Sequence, residues 1–280
     1  MALPKCAEAM KILALVNRSP GLRYSAHIHT LVQAGAQVEC VEITGISSFV
    51  ERMRIQARIL RRNGLRTYLK RRIEMNRAST NRAQVDAIAT ESLIASGFFT
   101  EITASQRFGG FGGALISYVR DSNFDLLLQA GAGIIPRHFI RVVPPILNVH
   151  PGILPGIRGV DPLFWAHYYG RRDWIGSTIH IVDAGIDTGR PLIRRRLSNL
   201  ERGGHFAYYT GTQVALECSL LRETIDKWDE DLSEYDEGGC SKSVYRSYWH
   251  AKHYLTLQSC GWWAAEQISN DAVTDSQANE

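Results

Sequence analysis

Two apolar runs of strand length, KILALVN from Lys11 to Asn17 and AQVECVEI from Ala36 to Ile43, flank one amphipathic segment, YSAHIHTLVQAG. Turn formers close each piece: NRSPG follows the first run, and Gly35 ends the amphipathic segment. Pieces of these lengths in this order predict β-α-β, and hence parallel strands joined by a right-handed crossover. A third run, DLLLQAG from Asp125 to Gly131, is apolar throughout, as a strand covered on both faces must be. The expected class is therefore α/β, a mostly parallel sheet with helices on both faces. NRSPG lacks the glycine spacing of a dinucleotide turn, so it gives no support for a nicotinamide cofactor. The glycines of FGGFGG, Phe108 to Gly113, lead into Ala114, Leu115 and Ile116 rather than Lys or Ser, which predicts a βα loop and not a phosphate cradle.

A chain of 280 residues, 45% apolar and 21% charged, has enough apolar matter for a sizeable core in one large domain or one domain with an appendage. The five cysteines are scattered with no zinc-like spacing, which predicts free thiols in a reducing compartment. The N-terminus lacks a secretory apolar region, and no run approaches the ~20 apolar residues of a membrane span. A soluble cytoplasmic protein without membrane partners is expected. The net charge of +4 is mild but uneven. Between residues 49 and 82 a series of arginines, including Arg61, Arg62, Arg71 and Arg72, is opposed only by Glu51 and Glu74. Apolar residues recur there at helical spacing, so an arginine-rich helical insertion is predicted, either a solvated face or an anion-recognition element. Beyond Leu192 a helix from about Phe206 to Trp228 is expected, then an acidic turn-rich segment and an aromatic tail with Tyr245, Tyr248, Trp249, Tyr254, Trp262 and Trp263.

Chemistry concentrates between Ile146 and Leu192. Asn148 and His150 lie two apart in an apolar run, which on a strand places both on one face. A strand Asn is costly if buried unpaired and is better explained as a donor aimed at a developing oxyanion. His150 suits proton movement near neutrality. His180 interrupts the run STIHIV, either as a structural group or as part of the site, and Asp187 sits in the turn GIDTG, where a carboxylate can partner an imidazole.

The run NVHPGILPGIRG, Asn148 to Gly159, followed by GSTIHIVDAGIDTG, Gly176 to Gly189, closely resembles the folate-dependent formyltransferase family, to which glycinamide ribonucleotide, methionyl-tRNA and sugar-nucleotide N-formyltransferases belong. The resemblance implies a Rossmann-like fold with the site at the carboxyl ends of the strands. It implies a catalytic trio of Asn148, His150 and Asp187. It implies that 10-formyltetrahydrofolate is the formyl donor and that no metal is needed. The donor would lie against Ala130, Gly131, Gly133 and Ile135 of one loop and Asp183, Ala184, Gly185 and Ile186 of another, largely on backbone groups. His180, Arg158 and Gly159 are carried over as substrate-binding. An amine attacks the formyl carbon, Asn148 and a protonated His150 stabilise the oxyanion of the tetrahedral intermediate, and Asp187 keeps His150 charged and relays the amine's proton.

The chain departs from the pattern of the family it resembles at instructive places. Gly152 stands where many members have Ser, so a side-chain contact is missing. The arginine-rich insertion and the C-terminal remainder match neither the tRNA enzyme nor the ribonucleotide enzyme. The expected organisation is a catalytic domain over residues 1–204, carrying the insertion at about 49–82, with a helical and aromatic C-terminal extension over 205–280. The favoured acceptor is a primary amine on a specialised small molecule, a nucleotide-linked amino sugar or a secondary-metabolite or peptide precursor, whose phosphate or nucleotide moiety the arginines meet. A methionyl-tRNA-type formylase or RNA-binding relative and a formyl-tetrahydrofolate hydrolase are the alternatives. The aromatic C-terminus is a candidate surface for a homodimer.

Overall fold

The computed structural model describes residues 10–17, 22–44, 103–197 and 206–246, together with positions 53, 57, 60, 61 and 65. Among the described residues nine strands are formed: β1 (Lys11–Val16), β2 (Gln37–Ile43), β3 (Gln106–Phe108), β4 (Leu126–Ala130), β5 (Ile146–His150), β6 (Ile157–Gly159), β7 (Gly176–Ile181), β8 (Pro191–Arg196) and β9 (Val244–Arg246). The helices are α1 (Leu22–Gln33), α2 (Gly113–Asp121), α3 (Arg137–Ile140), α4 (Pro162–Tyr168) and α5 (Phe206–Asp226). Among the described residues the main sheet has seven strands in the order β3-β2-β1-β4-β5-β7-β8. The first five run parallel, and β7 and β8 are antiparallel additions at one edge.

Alternation along β1 shows why both faces are covered. Ile12, Ala14 and Val16 pack with Ile28 and Leu31 of α1 and with Leu220, Leu221 and Ile225 of α5. Leu13 and Leu15 face the other way, toward Leu115 and Val119 of α2 and Phe139 of α3. An element with apolar side chains in both directions is stable only inside two layers of helix. The order reverses between β1 and β4, and their carboxyl ends are tied by the bridge between Val16 and Gly131. In open sheets of this kind, ligands bind beyond the strand ends at such a reversal.

The βαβ unit at residues 11–43 and the strand within residues 125–131 form as the apolar patterns predict. The long C-terminal helix α5 closes the core on the α1 side. The run FFTEITAS, residues 98–105, suggests a strand, but its described residues 103–105 are not in one, and β3 lies at Gln106–Phe108, leading into the glycine loop and α2. Residues 97–102 lie outside the described set, as do most of the arginine-rich insertion, the 204/205 boundary and every tail aromatic beyond Tyr245. The described insertion positions Met53, Ala57, Leu60, Arg61 and Leu65 are helical and exposed.

Candidate active site

On β5, Leu147 and Val149 point into the α1 and α5 layer, while Ile146 joins the opposite cluster. Period-two alternation therefore sends Asn148 and His150 to the same side as Ile146. β7 runs antiparallel beside β5, with His180 opposite Asn148 and Thr178 opposite His150. Asp187 reaches this face from the hairpin loop between β7 and β8, with a left-handed φ of +52°. The loop is shaped by its own first carboxylate: Asp183 Oδ1 accepts from the Gly185 N–H at 3.0 Å and the Thr188 hydroxyl at 2.7 Å. Asp side chains favour such turns because they replace a backbone acceptor.

The three side chains expected to act together do converge. Asp187 Oδ1 is 3.5 Å from Asn148 Nδ2, and Oδ2 is 3.6 Å from His150 Nδ1. His150 Nε2 lies 2.8 Å from the carbonyl oxygen of Ile157. A carbonyl only accepts, so Nε2 carries a proton and Nδ1 is the nitrogen turned to Asp187. His180 Nδ1 lies 3.2 Å from the Ile181 carbonyl oxygen, which by the same logic leaves Nε2 to accept from Asn148 Nδ2 at 3.0 Å. Both nitrogens of His180 are thus occupied and its side chain is 2% exposed, which suits a group that orients the Asn148 amide.

Burial pulls the His150 pKa below its ordinary value, and the opposing pull of Asp187 does not restore it. Burial thus works against the expectation that Asp187 holds this imidazole charged at rest, and favours the neutral form. Burial pushes the Asp187 carboxyl up, but the His180 ring, the charge His150 carries once acid protonates it, and the Gly159 N–H outweigh it and bring the group down to about 2. Gly159 N donates to Asp187 Oδ2 at 2.8 Å, so its N–H is bonded to the Asp187 carboxylate. Arg158 does face open space. It lines a cavity of about 310 Å³ with Leu154, Pro155, Asp187, Thr188 and Ser243, and its Nε has no hydrogen-bond partner among the described residues.

Of the two loops expected to hold a folate, the first is organised by a residue that the motif reading passed over. Gln129 accepts from the Gly131 and Ala132 N–H groups at 2.8 and 3.0 Å and donates to the Gly133 carbonyl at 2.7 Å. Gly131 and Gly133 have φ of +96° and +80°, which Gly adopts without strain. Ala130 and Ile135 are buried supports, whereas Ile134 beside them is 74% exposed. In the second loop Asp183, Ala184 and Gly185 are exposed, and Ile186 projects apolar surface at 40% exposure. Gln213 of α5 was also missed. It donates to the carbonyls of Pro151 and Gly176 at 2.9 and 2.7 Å and so pins the chain just after His150. A single Gln on a helix 62 residues away carries no local signal of that role. At Gly152 an added Cβ would meet Ile157 Cγ2 at 2.9 Å and His150 Nε2 at 3.2 Å, so the glycine suits the bond between His150 and the Ile157 carbonyl. Among the described residues no group of three or more His, Cys, Asp or Glu is arranged to hold a metal ion, and no helix is long and apolar enough to cross a membrane.

Residues 70–203 match the model of a family described as Formyl transferase, a span containing both sequence blocks. A methionyl-tRNA formyltransferase of Pelobacter propionicus is 28% identical over 51% of this chain and 44% of its own length. A GDP-perosamine N-formyltransferase of Brucella melitensis is 28% identical over 48% of this chain and 49% of its own. The chain therefore matches only about half of these relatives. The fold is shared with glycinamide ribonucleotide transformylase 1 of Symbiobacterium toebii, at a TM-score of 0.51, 17% identity, and coverage of 81% of this chain and 91% of that one. The chain resembles the formyl-transferring enzymes, as its two blocks imply.

Proposed function

We propose that this chain is an N-formyltransferase that moves a formyl group from 10-formyltetrahydrofolate to a primary amine on a small-molecule acceptor. The observation that carries the proposal is the meeting of Asn148, His150 and Asp187 at 3.5 and 3.6 Å, with Asp187 also lining a cavity. The donor's own chemistry is an activated formyl carbon. The residues present fit such a donor: two loops with accessible backbone and exposed Ile134 and Ile186 suit a flat, largely apolar ring system. Ala130, Gly131, Gly133 and Ile135 would hold it from one side, and Asp183, Ala184, Gly185 and Ile186 from the other.

The chain's own groups then divide the work. The Asn148 amide, fixed in orientation by His180, donates a hydrogen bond to the oxygen on which negative charge develops. Asp187, which lines the cavity, receives the proton leaving the amine along its Oδ2 edge. His150 Nδ1, behind Asp187, takes that proton up, the carboxylate stabilises the imidazolium that results, and the proton returns to the donor nitrogen as its bond to the formyl carbon breaks and tetrahydrofolate leaves. The Ile157 carbonyl keeps the other ring nitrogen from exchanging roles. Arg158 and the cavity beside it are assigned to the acceptor, with a phosphate-bearing or nucleotide-linked amino sugar as the preferred class. The Brucella relative acts on a GDP-linked sugar by its name, and that supports the preference.

The test is a panel of amines incubated with 10-formyltetrahydrofolate and followed by mass spectrometry. One acceptor should gain the mass of a single formyl group. Release of formate at the same rate with and without every amine would replace the reading with a hydrolase. A second reading has the relatives named methionyl-tRNA formyltransferase behind it. It predicts tRNA binding with steep salt dependence, lost when Arg61, Arg62, Arg71 and Arg72 are neutralised.

A further inference from the structure

Two backbone groups of one three-residue strand set the catalytic side chains. The Ile157 carbonyl of β6 holds His150 Nε2, and the Gly159 N–H of β6 holds Asp187 Oδ2, each at 2.8 Å. β6 is not part of the main sheet; its strand partner among the described residues is β9. β9 lies beyond the span matched by the formyl transferase family, which ends at residue 203. We propose that the segment from Asp236 to Arg246 is a strap that positions His150 and Asp187 through β6, with Asp236 and Arg246 as its anchoring residues.

The strap is fastened at both ends. At its start Asp236 pairs with the Arg194 guanidinium and accepts from the Arg194 backbone N–H at 2.9 Å, while the Glu237 N–H donates to the Arg194 carbonyl at 3.0 Å. Arg194 also reaches the Leu154 carbonyl at 3.1 Å, which ties the strap to the turn between β5 and β6. At its end Arg246 sits over the rings of Tyr169 and Trp165 at 5.2 and 5.7 Å and donates to the Tyr169 hydroxyl. Between the anchors, Val244 N donates to the Gly156 carbonyl at 3.0 Å, and Val160 N donates to the Arg246 carbonyl at 3.0 Å. Contact with β6 is close enough that a Cβ on Gly159 would fall 1.9 Å from the Arg246 carbonyl oxygen. A three-residue strand supplies few bonds of its own, so loosening β9 should let β6 shift. A shift of a few tenths of an ångström alters both catalytic contacts together.

The inference rests on the reading that His150 and Asp187 carry the chemistry, so its test has one arm that does not depend on formyl transfer. The double variant Asp236→Ala/Arg246→Ala, checked for folding by circular dichroism, is compared with wild type in steady-state transfer and in an NMR titration of His150. Asp187, His180 and Glu217 are the titratable groups acting on His150, and none of them is altered. Expected are a fall in kcat of roughly tenfold or more, changes in KM below about threefold, and a His150 midpoint moved upward by about half a pH unit as water reaches the ring. Arg246→Lys and Asp236→Glu should recover most of both signals. Unchanged kcat together with an unmoved His150 midpoint in a folded variant would overturn the proposal. Should the double variant not fold, Asp236→Asn alone is read by the same two measurements. If wild type transfers formyl to no amine, the functional reading fails, and the titration still decides whether the strap positions His150.

Discussion

The side-chain amide of Asn148 donates to Nε2 of His180 across paired strands, at 3.0 Å. That bond exists because the Ile181 carbonyl fixes the proton of His180 on Nδ1. The residue proposed to stabilise the oxyanion is thus held by a tautomer chosen one residue further along the chain.

Replacing His180 by Leu removes the acceptor and leaves the Asn148 amide free to rotate. The expected outcome is a fall in kcat of roughly 10-fold to 100-fold with little change in KM, since the donor is retained but no longer aimed. Steady-state kinetics on the acceptor identified by the amine panel would measure it; equal kcat in the two proteins would remove His180 from the site.

Acid stability should carry the signature of Asp187. Its pKa is depressed in the folded state to about 2 from 3.8, so the unfolded chain binds more protons in that interval. The stability it provides is therefore fully present above about 4 and is lost as pH falls toward 2, amounting to about 2 kcal/mol. Denaturant melts of wild type and Asp187→Asn should converge at the acid end of this window and diverge above it.

His150 adds a second, higher window of the same sign. Burial lowers its folded pKa, so the stability of the wild type falls as pH drops below the unfolded value of 6.5. His150→Phe should flatten the wild-type slope just below that pH, as read by urea unfolding from pH 5 to 8. An undiminished slope would mean that this histidine is not the group being protonated.

Glu217 of α5 is fully buried, 3.0 Å from His27 and 3.2 Å from Arg23 of α1. Glu217→Ala leaves both partners facing a buried void and should destabilise the protein by about 3–5 kcal/mol. Urea denaturation measures this, and a loss below about 1 kcal/mol would show the pair to be solvated.

Gly159→Ala combines a φ of +99° with a contact that backbone cannot relieve. Loss of activity should exceed what the stability change explains, because the Gly159 N–H moves away from Asp187. Melting temperature and kcat measured together separate the two effects.

The sheet was legible where burial on two faces leaves a run of apolar residues, as in β1, β2 and β4. β3 was misplaced because three residues, two of them exposed, leave no periodic pattern to read. Asn148 and His150 were legible because polar residues inside an apolar strand need a reason, whereas their grouping with Asp187 as a trio was implied by the resemblance. Two features of the site were not. The charge state of His150 depends on how completely surrounding elements exclude water, which no local spacing encodes. The supports from Gln213 and Arg246 come from segments far along the chain whose own patterns are ordinary.

The most direct test of the account is single-turnover formyl transfer from 10-formyltetrahydrofolate by wild type and by Asn148→Ala, His150→Ala and Asp187→Ala, with donor binding measured separately. The account predicts that each variant still binds the donor within a few-fold and transfers the formyl group at least roughly 100-fold more slowly. Transfer at the wild-type rate by His150→Ala would contradict it.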